Sequence, residues 1–249
     1  MKQRIITGIA LIAICLPPLI IGGIPLKCLM AVVAIGACYE LVVLKKHQFD
    51  LKLFLGAFLF VVSMASVSVL STSFLMIVLM IYLLVLAIVD ENYSLDEIAL
   101  FYLFSLILGF SINSILMIYE INNLLMIYVA LATFGCDVGA YFFGFFFGKH
   151  KLNPRVSPKK TVEGAVGGWF VGMSLSILFA CFFIEGLNDV GLIVLSIILP
   201  IVSQIGDLSF SLLKRHYQAK DFGSLFPGHG GMLDRVDSLL FCLIVVYGF

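Results

Sequence analysis

The sequence predicts an all-α protein, a polytopic bundle of about eight transmembrane helices followed by a short C-terminal helix. Of its 249 residues, 62% are apolar and only 12% are charged, about half of the roughly 25% charged residues typical of soluble domains. The mean hydropathy is +1.15. Uncharged runs recur along the chain, and about 20 apolar residues suffice for a helix to cross a hydrocarbon core of about 30 Å. A soluble globule is therefore excluded, and the zero formal net charge excludes a basic surface for nucleic acid.

The uncharged runs define the spans in chain order. Leu53 to Val89 holds 37 uncharged residues, too many for one crossing, and Ser71–Ser73 at its middle predict a turn between two spans. The tail from Ser238 to Phe249 is about 18 Å long as a helix. We interpret this tail as either a half-helix packed against protein or the end of a shortened chain. The predicted spans are Ile5–Leu26, Cys28–Leu44, two within Leu53–Val89, Ile98–Tyr119, Leu124–Gly148, Gly164–Ile184 and Val190–Leu213.

The basic residues predict the orientation, because Lys and Arg favour the cytoplasmic side of a membrane. With eight spans, 14 of the 15 Lys and Arg residues fall on the side of the amino terminus, and Lys27 alone falls opposite. We therefore expect a multi-pass protein of the cytoplasmic membrane of a prokaryote, with a cytoplasmic amino terminus. The first apolar run has the form of a signal peptide, but no small-x-small cleavage site precedes a polar region, so we expect an uncleaved span.

The charges predict two regions of different character. Residues 1–120 form a transmembrane scaffold of about five spans, and residues 121–249 form a transmembrane region with cytoplasmic loops at 149–163 and 214–237. Residues 137–163 and 207–237 hold 15 of the 30 charges in fewer than a quarter of the positions. We expect the chemistry of the protein to lie in the second region.

Two acidic residues stand inside predicted spans. Asp137 precedes Lys149 by 12 positions, about 18 Å of helix from the membrane edge. A carboxylate buried there costs several kcal/mol unless a cation or a donor meets it, so a functional site is favoured over a structural pair. Asp207, Ser211, Lys214 and Arg215 share one helical face that points toward the cytoplasm. The alternative for Lys214 and Arg215 is simple anchoring at the headgroups.

Two loops have the composition of phosphate sites. The loop from Lys149 to Glu163 carries five basic residues, and Thr161 or Ser157 is expected to cap the helix that follows, next to Lys159 and Lys160. The alternative is an ordinary positive loop. Residues 222–231 contain four glycines, whose backbone amides can approach an anion closely.

Acidic residues follow the glycine loop. Asp234 and Asp237 are three positions apart, so on a helix their carboxylates can converge on one metal ion. Together with Arg235 and the glycine loop, this pattern indicates magnesium-assisted chemistry on a polyphosphate.

These residues resemble the signature of the phosphatidate cytidylyltransferases, also called CDP-diacylglycerol synthases. The match covers every fixed position of a 27-residue pattern, and blocks at 137–141 and 157–164 are also similar to this family. The signature residues are Ser211, Leu213, Lys214, Arg215, Lys220, Asp221, Gly223, Phe226, Pro227, His229, Gly230, Gly231, Met232, Asp234, Arg235, Val236 and Asp237. The first 120 residues match in hydropathy alone, and the short carboxyl tail departs from the family's fuller last span.

The resemblance implies transfer of CMP from CTP to phosphatidate, giving CDP-diacylglycerol and pyrophosphate. It also implies a homodimer and Mg²⁺ with a possible second cation. The zero net charge predicts no nucleic-acid partner. The metal ligands are expected among Asp137, Asp207, Asp234 and Asp237. Catalytic roles are expected for Asp207, Asp221, Asp234, Asp237, Lys214, Arg215 and Arg235. Substrate binding is expected for Ser157, Lys159, Lys160, Thr161, Lys220, His229, Gly230 and Gly231.

Two other functions remain open from the residues. A CTP-dependent polyprenol or phytol kinase would release CDP in place of pyrophosphate. An ion or solute transporter would use Asp137 and Asp207 as coupling sites near the midplane, although transport does not require the glycine loop and its charges.

Overall fold

The computed structural model describes residues 2–44, 49–65, 69–185, 189–226 and 230–248. Within these ranges the chain forms nine α-helices and one short β-hairpin, which confirms the predicted helical class. The helices are α1 (Lys2–Ile21), α2 (Gly23–Val43), α3 (Leu51–Met64), α4 (Val69–Val89), α5 (Leu95–Ile121), α6 (Leu124–Phe147), α7 (Val162–Phe183), α8 (Asp189–His216) and α9 (Leu233–Gly248). The strands are β1 (Lys151–Asn153) and β2 (Ser157–Thr161).

Helices α1 to α8 correspond in order to the eight predicted spans. Among the described residues, six helices are long and apolar enough to cross a membrane: α2, α4, α5, α6, α7 and α8. Helix α3 is apolar but has only 14 residues, about 21 Å of helix. Helix α9 has 16 residues and begins before the predicted start at Ser238. The chain is thus a polytopic helical bundle with a short last helix.

The break inside the long apolar run lies earlier than predicted. Helix α3 ends at Met64 and α4 has begun by Val69, so Ser71–Ser73 are helical and the prediction of a turn there was wrong. The buried side chain of Asn113 on α5 donates a hydrogen bond to the backbone carbonyl of Met64. The last carbonyls of a helix have no partner within it, so a donor from another helix stabilises an end at this point.

The chain divides into two compact units. The first comprises residues 1–116 and 219–235, and the second comprises residues 117–218 and 236–249. In the first unit, helix α3 packs between α2 and α4. The carboxylate of Asp50 caps α3 by accepting hydrogen bonds from the amides of Lys52 (3.0 Å) and Leu53 (3.2 Å). The hydroxyl of Tyr93 donates to the other oxygen of Asp50 at 2.6 Å.

In the second unit, α6 and α7 pack with unusually close backbones. A Cβ atom at Gly168 would lie 2.5 Å from the carbonyl oxygen of Cys136, and one at Gly139 would lie 2.8 Å from Cβ of Val171. Such contacts are possible because small residues recur every four positions along both helices. This packing agrees with the small-residue spacing in α6 and sets the position of Asp137 on that helix.

The hairpin lies between α6 and α7. Strands β1 and β2 are antiparallel, with Lys151 opposite Thr161 and Asn153 opposite Ser157. Thr161 caps α7, because its hydroxyl accepts a hydrogen bond from the amide of Gly164 at 3.2 Å. Of the two predicted capping residues, Thr161 is therefore the one that caps the helix, and Ser157 lies in β2. The sequence predicted a loop here and not the two strands, which are only three and five residues long.

Candidate active site

Three carboxylates of the second unit lie near one another: Asp137 on α6, Asp207 on α8 and Asp237 on α9. Asp207 interacts electrostatically with both of the other two. Gly206 permits the close approach of α8 and α9, since a Cβ atom there would lie 3.0 Å from the carbonyl oxygen of Asp237. The Ser238 hydroxyl donates to Asp137 at 3.4 Å. These acids come from three helices and form a concentrated negative charge.

Lys160 supplies a cation to this cluster. Its ammonium group forms an ion pair with the carboxylate of Asp207, and each side chain is about one quarter exposed. The hydroxyl of Ser211 donates to the other oxygen of Asp207 at 3.3 Å. Strand β2 therefore places Lys160 next to Asp207 on α8. The position of Lys160 in the sequence did not predict this contact.

The last turn of α8 adds two further cations. Lys214 is only 8% exposed and interacts electrostatically with Asp237. Arg215 is more exposed, and its Nε donates to the carbonyl of Val156 at 3.3 Å, which ties the hairpin to α8. Ser211 and Lys214 therefore lie beside the acids, as expected for one helical face. Arg215 contacts the hairpin.

The hairpin also carries Lys159, which is exposed next to Lys160. Glu163, a residue that the sequence analysis did not select, fixes the start of the hairpin. Its carboxylate accepts hydrogen bonds from the amide of Lys149 (3.0 Å) and from Nδ1 of His150 (2.6 Å). A glutamate in the first turn of a helix was the available signal, because that position favours an acidic group.

The glycine loop and the start of α9 up to Arg235 belong to the first unit. Asp234 holds this loop, since its Oδ2 accepts hydrogen bonds from the amides of Phe222 (2.8 Å) and Gly231 (3.0 Å). Gly230 has φ +82°, and a Cβ atom there would lie 2.9 Å from the same oxygen. Only glycine fits such a position without strain.

The remaining predicted site residues lie in or beside the glycine loop. Lys220, Asp221 and Arg235 are exposed at the two ends of the loop. His229 lies outside the described residues, as do Pro227 and Gly228.

A second carboxylate in the first unit also holds the loop. Glu40, in the last turn of α2, is 2% exposed and accepts hydrogen bonds from the amides of Met232 (2.7 Å) and Leu233 (2.9 Å). In the sequence, Glu40 stands out only as a charge near the end of a predicted span. The available signal was a glutamate within an apolar run, because a buried carboxylate is costly unless donors lie nearby.

The predicted metal ligands divide between the two units. Asp137, Asp207 and Asp237 lie in the second unit, and Asp234 belongs to the first. Across the described ranges, no three Asp, Glu, His or Cys side chains are arranged to hold a metal ion. The donor chemistry nevertheless fits a hard divalent cation, which prefers carboxylate oxygens, and Asp207 already attracts the ammonium of Lys160.

The charged residues of the second unit indicate which kind of ligand can bind there. In the second unit, cations from β2 and α8 lie beside carboxylates from three helices. Cations neutralise phosphate oxygens, and carboxylates recruit the divalent ions that accompany polyphosphates. The combination suits the binding of phosphate esters with a metal ion.

Comparison with known proteins agrees with this chemistry. A family model described as "Cytidylyltransferase family" matches residues 2–249. A phosphatidate cytidylyltransferase of Bacillus subtilis is 33% identical over 259 residues, covering 99% of this chain and 96% of that protein. Proteins of the same name from Staphylococcus haemolyticus and Staphylococcus aureus (strain COL) are 49% and 46% identical over 107 residues, which is 43% of this chain and 41% of each of theirs.

Proposed function

Because this chain belongs to the cytidylyltransferase family, we propose that it transfers CMP from CTP to phosphatidate. An oxygen of the lipid phosphate attacks the α-phosphorus of CTP and forms a new P–O bond. The bond between the α-phosphorus and its bridging oxygen breaks, and pyrophosphate leaves with that electron pair. The products are CDP-diacylglycerol, a precursor for phospholipid synthesis, and pyrophosphate.

The single observation that carries this proposal is the mixed charge cluster around Asp207, within a chain that matches the family along its whole length. Both substrates are polyanions, so their reacting groups repel each other unless cations lie between them. Lys160 and Lys214 already lie beside the acids. Lys159, Arg215, Lys220 and Arg235 are the further cations proposed for the two phosphate groups.

The family membership implies metal-assisted nucleotidyl transfer, and we propose Mg²⁺ as the metal. Asp137, Asp207 and Asp237 are the proposed ligands, with Asp234 and Asp221 as further candidates. When bound, Mg²⁺ would offset charge on the triphosphate and on the leaving pyrophosphate. The structure supports Asp234 more directly as the residue that orders the loop, because its Oδ2 accepts two backbone amides.

No side chain is needed to deprotonate the nucleophile. The second pKa of a phosphate monoester is about 6, so phosphatidate is largely dianionic near pH 7. The side chains and amides of the protein therefore bind and orient the two substrates and neutralise the charge of their phosphate groups. Ser157, Thr161, His229 and the amide of Gly230 are proposed as neutral hydrogen-bond donors to phosphate oxygens, whereas the amide of Gly231 donates to Asp234.

The test is incubation of the purified protein in detergent with phosphatidate, CTP labelled in the cytidine ring, and Mg²⁺. We expect labelled CDP-lipid and pyrophosphate in equal amounts, and neither product without phosphatidate. Release of CDP with a phosphorylated lipid alcohol would instead indicate a kinase. Solute flux in sealed vesicles without CTP, together with no CDP-lipid, would indicate a transporter.

The cellular setting is part of the same proposal. We propose a homodimer in the cytoplasmic membrane, with the amino terminus and the loops 149–163 and 214–237 on the cytoplasmic side. Cytoplasmic CTP then reaches the site from water, and phosphatidate reaches it from the inner leaflet. We likewise propose residues 1–120 as scaffold and residues 121–249 as the catalytic region.

A further inference from the structure

Glu40 is a buried carboxylate with a specific partner far away in the chain. It lies 192 and 193 positions before its hydrogen-bond donors, the amides of Met232 and Leu233, and both contacts are short, at 2.7 and 2.9 Å. Those amides belong to the start of α9, where backbone N–H groups lack partners within the helix. Glu40 therefore caps α9 from another helix, and the charged carboxylate meets the positive end of the helix dipole.

The glycine loop is shaped around this carboxylate on both sides. A Cβ atom at Gly231 would lie 2.4 Å from Oε1 of Glu40 and 2.5 Å from Oε2, and one at Gly223 would lie 2.9 Å from Oε1. Two glycines at the two ends of the loop thus leave room for one side chain of α2. Leucine, or any other apolar residue, at position 40 would bury the two amides without acceptors.

Glu40 and Asp234 each accept hydrogen bonds from two different backbone amides of the loop and the start of α9. Asp234 accepts the amides of Phe222 and Gly231, and Glu40 accepts those of Met232 and Leu233. Asp234 lies on α9 itself and therefore closes the loop locally. Glu40 lies on a membrane helix and connects the loop to the scaffold of the first unit.

We propose that Glu40 is a positioning residue, which fixes the two ends of the glycine loop and the start of α9 in the arrangement that the reaction requires. This inference rests on the proposed function. Glu40 contacts backbone amides and acts on substrate only through them. Its removal should loosen residues 222–233 and leave the helices of the bundle folded.

The main test replaces Glu40 by Gln in the full-length protein purified in detergent. Glutamine keeps the shape but offers one acceptor oxygen and an NH₂ group, which faces an amide donor. We expect amide hydrogen exchange at Met232 and Leu233 to accelerate about tenfold, equivalent to about 1.4 kcal/mol, with exchange in α6 and α7 unchanged. We expect kcat/KM for CTP to fall by about the same factor.

Glu91→Gln is the matched control. Glu91 is an exposed glutamate in the loop between α4 and α5 and lies outside the proposed machinery. Its replacement should leave exchange in residues 222–233 and kcat/KM at wild-type values.

A second pair of variants keeps the test decisive if Glu40→Gln does not fold. Gly231→Ala introduces a methyl group against the Glu40 carboxylate and should accelerate loop exchange while α2 is unaltered. Glu40→Asp withdraws the carboxylate by one methylene and makes room for that methyl. The double variant Glu40→Asp with Gly231→Ala should therefore exchange more slowly than Gly231→Ala alone.

Wild-type loop exchange in Glu40→Gln, or additive effects in the double variant, would overturn the inference. Faster loop exchange with wild-type kcat/KM would also overturn it, because the loop position would then not matter for the reaction. If the wild-type protein forms no CDP-lipid, the proposed function fails. The exchange measurements would still decide whether Glu40 holds the loop.

Discussion

Asp207 has the most informative surroundings of any residue in the candidate site. It pairs with Lys160, accepts a hydrogen bond from Ser211, and interacts electrostatically with Asp137 and Asp237. Four structural elements therefore present charged or polar groups to one carboxylate. The sequence analysis selected Asp207 from its place in an apolar helix, because a charge there requires partners.

Asp207→Asn should abolish most of the turnover while the protein remains folded in the membrane. The amide has the same shape but lacks the charge that attracts Lys160 and a divalent cation. We expect kcat to fall about 100-fold or more, as when other preorganised electrostatic contacts are removed. The measurement is CDP-lipid formation at saturating CTP and phosphatidate.

Asp96→Asn serves as the comparison, because Asp96 is an exposed acid in the first turn of α5. It should retain wild-type turnover. Wild-type activity in Asp207→Asn would remove Asp207 from the metal-binding set.

Tyr93 should make the first unit sensitive to alkali. Burial, and then the neighbouring Asp50 carboxylate that accepts its hydrogen bond, raise the pKa of the Tyr93 hydroxyl above its usual value. A pKa that is raised on folding gives stability that is complete below the unfolded value of about 10 and is lost as the pH rises further. The thermal midpoint in detergent should therefore be steady from about pH 7 to 9 and fall above about pH 10.

Tyr93→Phe should lower the stability at pH 7 by about 1 kcal/mol, since the half-buried carboxylate of Asp50 loses a hydrogen-bond donor. It should also reduce the fall above pH 10. Tyr141→Phe, at a tyrosine that is 68% exposed, should change neither quantity. An unchanged alkaline profile in Tyr93→Phe would contradict the assignment.

At the scale of elements, close backbone packing between α6 and α7 places Asp137. Glycines on both helices make the contact possible, and their regular spacing was visible in the sequence. The hairpin between these helices was not, because its two strands are short and rich in lysine, a residue depleted in strands. Its pairing depends on Arg215 and Glu163, which contact it from α8 and α7.

Gly168→Ala should destabilise the second unit. Its methyl group would lie 2.5 Å from the carbonyl oxygen of Cys136 and 2.9 Å from the amide of Ala140, and backbone atoms of a packed helix cannot simply move aside. Overpacking of this kind costs about 1 to 3 kcal/mol. Thermal unfolding in detergent measures the effect.

Gly248→Ala is the control for this change, because a Cβ atom there meets nothing within 4 Å. It should leave the midpoint within experimental error. Equal midpoints for Gly168→Ala and the wild type would contradict the close packing.

At the scale of the whole molecule, the distribution of Lys and Arg predicts which loops face the cytoplasm. Cysteine labelling tests this, after exposed Cys28 and Cys181 are replaced by serine. Lys151→Cys on the hairpin should react with a membrane-impermeant maleimide only after cells are permeabilised. Asn123→Cys, between α5 and α6, should react in intact cells. The reverse pattern would invert the proposed orientation.

Local composition predicts the helical membrane class and the order of the eight apolar helices, since the cost of exposing polar backbone to lipid forces helices wherever apolar runs are long enough. Motifs, and not composition, indicate the family and the candidate site residues. The predicted break between α3 and α4 was misplaced, because the end of α3 is stabilised by a donor on α5.

The donors that meet Asp207 and Glu40 follow from the tertiary structure. Lys160 faces Asp207 across 47 positions, and Glu40 meets amides 192 and 193 positions away. A carboxylate within an apolar run predicts that a donor or a cation lies nearby, because an unpaired buried charge is costly. Which residue becomes the partner depends on the packing of helices that are distant in the sequence. Local sequence patterns do not predict this packing.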